Sequence, residues 1–68
     1  MPAPSQAEVE MARELYALER SDHPDFTADE MGESVALTMQ NGRYTLRKGC
    51  TYYCPPRWIR SLVARGGR

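Results

Sequence analysis

Apolar residues recur at helical spacing through the first third of the chain. Ala7, Met11, Leu15 and Leu18 form one stripe, Val9, Ala12 and Tyr16 form a second beside it, and Glu10, Arg13 and Glu14 fall on the far side. Such a period predicts an amphipathic helix over about 6–20. Ser5-Gln6-Ala7-Glu8 marks its start as a capping box. The serine hydroxyl accepts from the glutamate backbone N–H, and the carboxylate reaches back to the serine N–H. The apolar face is wide: either both stripes are buried in a cleft of the domain itself, the commoner case and the one favoured, or the second stripe meets a partner or a second copy of the chain.

The stretch SDHPDF that follows is a connector, because the residue before Pro24 is biased away from helix and Asp22 and Asp25 favour turns. Thr27-Ala28-Asp29-Glu30 repeats the capping box, with Phe26 placed to staple onto Met31, so a second helix begins at Ala28. Its end is ambiguous. Met31, Val35 and Met39 continue one helical face, with Asn41-Gly42 as a left-handed terminus. Alternatively the helix stops near 32–34 and Asn41-Gly42 is the tight turn of a hairpin, for which Asn-Gly is the strongest local signal. Pairing Met39 with Tyr44, Thr38 with Thr45, Leu37 with Leu46 and Ala36 with Arg47 makes one face apolar and the other polar. The helical alternative would turn Leu37 to solvent, so the pattern favours a short second helix and a hairpin.

After a turn at Lys48-Gly49, residues 50–54 read as a third strand with Cys50, Tyr52 and Cys54 on one face and Thr51 and Tyr53 on the other. Pro55 keeps Cys54 extended, and Pro56 fits the first turn of a last helix over 56–65. There Trp58, Ile59, Leu62 and Val63 face inward, Arg57, Arg60 and Ser61 face outward, and Gly66-Gly67 ends the run. The expected fold is a single α+β domain over 1–68, with frayed tails at 1–4 and 66–68. It comprises an N-terminal helix, a short second helix, a small antiparallel hairpin or three-stranded sheet, and a C-terminal amphipathic helix. Its expected core is Met11, Leu15, Leu18, Phe26, Met31, Leu37, Leu46, Tyr52, Trp58, Ile59, Leu62 and Val63.

Length then narrows the function. A 68-residue domain buries only about 60% of the surface its unfolded chain exposes, which leaves no room for a cofactor fold beside a substrate pocket, so no enzyme and no cofactor are expected. The first residues, MPAPSQAEVE, lack a basic n-region and an apolar h-region, and no window holds the ~18 apolar residues of a membrane span. The expectation is a cytoplasmic protein away from membranes. Net charge is zero, yet the charges are sorted. All nine carboxylates precede residue 35, where only Arg13 and Arg20 oppose them, a balance of −7; the seven basic residues beyond carry +7 with no acid. Sorting of this kind points either to a charged partner or to two halves that neutralise each other.

The densest chemistry lies in RKGCTYYCPPRW, residues 47–58. Zinc needs four ligands, and Cys50, Cys54 and the lone His23 with an aspartate do not show the paired short spacings of a structural site. Five extended residues place the two cysteine Cα atoms roughly 13 Å apart, beyond the ~7 Å reach of a disulfide. Neither thiol sits in a nucleophile motif beside an oriented histidine. Two reduced cysteines packed as small apolar residues, and no metal, are expected. What remains is a basic and aromatic surface with Arg43, Arg47, Tyr53, Arg57 and Arg60 as candidate partner contacts. It suits a small regulatory or inhibitor protein that docks on a larger protein, for example a transcription or defence complex, as a monomer or as a homodimer through the first helix. The alternative is a winged-helix-like reader of nucleic acid whose wing is the Asn41-Gly42 hairpin. Protein is favoured, because the pI is near 6.5 where nucleic-acid domains usually exceed ~9.

Overall fold

Both capping boxes form as the sequence requires. At the first, the Glu8 backbone N–H donates to Ser5 Oγ at 3.1 Å and the Ser5 N–H donates to Glu8 Oε1 at 3.0 Å. The backbone bond from Ser5, then its hydroxyl, hold the Glu8 carboxyl below its ordinary value of 4.5. The cap therefore contributes stability above that value and loses it as pH falls through the depressed one. The structure is a computed structural model that describes residues 3–41 and 55–68. Three helices carry it, α1 (Gln6–Asp22), α2 (Ala28–Asn41) and α3 (Arg57–Ala64). α2 packs against both of the others, while α1 and α3 meet only lightly.

α1 runs past the expected end at Arg20 and closes when the His23 N–H donates to the Glu19 carbonyl at 2.8 Å. Arg20 then clasps the connector, its Nη1 donating to the carbonyls of Phe26 at 2.8 Å and Pro24 at 3.3 Å. The same guanidinium lies 5.7 Å from the centre of the Tyr16 ring, within cation–π range. His23 and Phe26 stack across the turn with ring centroids 4.3 Å apart. These contacts set the angle at which the chain enters α2.

The second box, with the Thr27 N–H donating to Glu30 Oε1 at 3.0 Å and the Glu30 N–H to Thr27 Oγ1 at 3.2 Å, opens a helix that does not stop at 32–34. α2 continues through 36–40 to Asn41, so the residues assigned to the first strand of a hairpin are helical. The α+β expectation is corrected accordingly: every regular element among the described residues is a helix, and none is a strand. Met31 and Val35 are fully buried and Ala36 nearly so, and Met39 packs against the same cluster. Burying this face between two neighbouring helices outweighs a local Asn-Gly preference worth one turn. Leu37 does not project into solvent; it is half-buried. The remaining strand residues, with Leu46 and Tyr52 of the expected core, lie outside the described residues.

The core consists of Ala12, Met31, Val35, Ala36, Ile59, Leu62 and Val63, with Val9, Leu15, Tyr16, Phe26, Met39 and Trp58 packed against it. Met11 and Leu18, assigned to the core from the sequence, are instead 50% and 60% exposed. α1 instead turns its Val9/Ala12/Tyr16 stripe inward, with Ala12 fully buried and Val9 and Tyr16 packed against the cluster.

α3 begins without a side-chain cap at Pro56, whose carbonyl accepts from the N–H groups of Ile59 and Arg60, both at 3.1 Å. It ends in a Schellman closure: Gly67 N–H donates to Leu62 O at 2.8 Å and Gly66 N–H to Val63 O at 3.0 Å. Gly66 adopts φ 73° and Gly67 φ 85°. A Cβ on Gly67 would stand 2.6 Å from the Tyr16 ring, so glycine lets the end of α3 close over α1. Gly32 differs. It is buried inside α2, yet an added Cβ would make only ordinary contacts, 3.7 Å from Pro55 Cγ and 4.0 Å from Val63 Cγ2. Gly32→Ala is expected to raise stability by about 1 kcal/mol through helix propensity, read as a higher melting temperature; a loss would show that α2 and α3 pack too closely there for a methyl group.

Candidate functional site

With α1 seated on its second stripe, the first stripe becomes a surface. Met11, Leu15 and Leu18 form a ridge at i, i+4 and i+7, and Ala7 extends it one turn toward the N-terminus. Ala7, Met11 and Leu18 are exposed and Leu15 is half-buried, so the ridge leans on the core at its middle and stands free at both ends. Met11 and Leu18 are about 10 Å apart along the axis at 1.5 Å per residue. Single exposed apolar residues are ordinary on proteins, but large ones aligned along one helix face form a ridge that a partner can cover.

A second feature lies beneath the opposite side of α1. Glu19 is 8% exposed and Ser34 1%, and Ser34 Oγ donates to Glu19 Oε2 at 2.9 Å across the α1–α2 interface. His23 Nε2 stands 3.9 Å from the same oxygen. Serine, histidine and glutamate together resemble the ingredients of a nucleophile site, but the connections are wrong for one. The hydroxyl is sealed from solvent and donates its hydrogen bond to the carboxylate, where an activated serine must face both a base and a substrate. The cluster is a polar tie between two helices. Its sequence signal was present, since Glu19 continues the 9, 12, 16 spacing of the buried stripe and Ser34 sits between Met31 and Val35.

Of the candidate partner contacts, Arg57 and Arg60 are exposed on α3 as expected. Arg43, Arg47 and Tyr53 lie outside the described residues, as do Cys50 and Cys54. The wing of the nucleic-acid alternative required residues 36–40 as a strand, and they belong to α2. Among the described residues no group of three or more His, Cys, Asp or Glu side chains is placed to hold a metal ion. No helix among them is long and apolar enough to cross a membrane. No protein-family model, curated protein sequence or solved structure matches the chain.

Proposed function

We propose that the chain is a small regulatory or inhibitor protein that docks on a larger protein partner, without transforming a substrate, and that the outer face of α1 is its docking surface. The observation that carries this is the exposure of Met11 and Leu18 at 50% and 60% on a helix that already buries another stripe. An amphipathic helix presented at i, i+4, i+7 is a recurring recognition element, with the apolar residues as anchors. The basic outer face of α3, with Arg57 and Arg60, is available as a second contact.

A photo-crosslinking amino acid placed at position 11 or 18 of the full chain, in the cells that produce it, should yield one discrete heavier adduct with a cellular protein. The same probe at the exposed Gln40 of α2 should not. Charged substitutions Met11→Glu and Leu18→Glu should remove capture by a probe at the neighbouring anchor while leaving the melting temperature in place. Capture confined to probes at Arg57 and Arg60 would move the docking surface to α3, and adducts at no site would remove the docking proposal.

A further inference from the structure

Resting on that reading, we infer the chemistry of the partner: the outer face of α1 fits a basic amphipathic helix, an apolar seam flanked by lysine and arginine. At 100° per residue, Ala7, Met11 and Leu18 lie within about 40° of one another around the helix axis, and Leu15 lies about 40° beyond Met11, between the directions of Asp22 and Glu8. Glu14 and Glu10 flank this line on one side by about 40° and 80°, and Asp22 and Glu8 flank it on the other by the same angles. The two cations of the helix, Arg13 and Arg20, are about 140° or more away, and Arg20 is engaged with the connector carbonyls and Tyr16. Glu8, Glu10, Glu14 and Asp22 are all exposed. The ridge is therefore an apolar line between two acidic banks, with no basic side chain of α1 near it.

This pattern discriminates among occupants. A second copy seated through the same face would set acidic bank against acidic bank in either direction along the helix, which disfavours the homodimer through α1. A lipid surface selects amphipathic helices with lysine and arginine on the polar face, and nucleic acid requires cations to displace its counterions; both are repelled here. A protein helix with an apolar seam and basic flanks satisfies the ridge and both banks together, with the charges setting orientation and encounter rate.

The test uses the full chain and three synthetic helical peptides that share one Leu/Met seam and differ only in flanking residues, lysine and arginine, glutamate, or glutamine. At low salt the basic peptide should bind about tenfold or more tighter than the acidic one, with the preference shrinking as salt is raised, and resonances of Met11, Leu15 and Leu18 should move. Glu10→Lys with Glu14→Lys leaves two acids and two lysines beside the ridge and should abolish the preference, and the unchanged melting temperature of that variant would show that it remains folded. Equal binding of all three peptides at α1 would overturn the charge inference and leave the docking face standing. Binding of none of them at α1 would overturn this inference, and the crosslinking at positions 11 and 18 then decides the docking reading separately. Sedimentation showing a dimer that Leu18→Glu dissolves would replace the basic helix with a second copy.

Discussion

Met31→Ala is expected to unfold a large share of the molecules at room temperature, while Met11→Ala leaves stability within about 0.5 kcal/mol of the parent. The two methionines are chemically identical and differ only in place. Met31 is fully buried at the centre of the cluster that joins α2 to both neighbours, and Met11 is half exposed on the outer face of α1. Truncating a buried methionine removes its transfer free energy and leaves a cavity that close-packed neighbours fill only in part, about 2–5 kcal/mol together. A domain of this length has a total stability of about 3–10 kcal/mol, so the loss is comparable to the whole. Urea melts of the two variants under one condition check the prediction. Similar losses at both sites would show that α1 packs by its other stripe and that the proposed docking face is part of the core.

Ser34→Ala carries the second largest effect, a loss of about 1–3 kcal/mol. The substitution costs little volume, so the effect is electrostatic in origin. Ser34 Oγ donates at 2.9 Å to a carboxylate that is only 8% exposed, with His23 Nε2 3.9 Å from the same oxygen, and a buried carboxylate that loses its hydroxyl donor bears more of its desolvation cost uncompensated. The diagnostic comparison is the double change Glu19→Leu with Ser34→Ala. Removing both partners leaves no orphaned group and is expected to be close to neutral or stabilising, even though Ser34→Ala alone destabilises. A double-mutant cycle measured by denaturant unfolding gives the coupling. A Ser34→Ala variant as stable as the parent would mean that water reaches the Glu19 carboxylate and that the tie does not hold α1 to α2.

The tie and the ridge together explain how α1 is oriented. Two apolar stripes were visible in the sequence, and either one could have been turned inward by local preference. Met11 and Leu18 offer more apolar area than Val9 and Ala12, and area alone points to them as core. Three-dimensional packing chose the smaller residues. Ala12 is fully buried, and Glu19 on the same face meets the hydroxyl of Ser34 at the depth where it is sealed. Neither condition can be read from one helix in isolation, because each depends on what the facing helix presents.

Local chemistry did settle much of the chain. Reciprocal bonds in both capping boxes, the start of α1 and α2, the stop at Gly66-Gly67 and the inward face of α3 with Ile59, Leu62 and Val63 all follow from residue types at fixed short spacings. Such signals act over three or four residues, so the sequence carries them complete. The length of α2 and the face of α1 were decided at longer range. Residues 36–41 could satisfy either a helix or a hairpin locally, and burial of Met31, Val35 and Ala36 between α1 and α3 tipped the balance toward helix. Local sequence determined where α1 and α2 begin and where α3 ends because hydrogen-bonding groups there are satisfied by near neighbours. On α1, tertiary structure alone decided which apolar stripe is core and which remains as surface, because burial is a property of the partner face as much as of the residue itself.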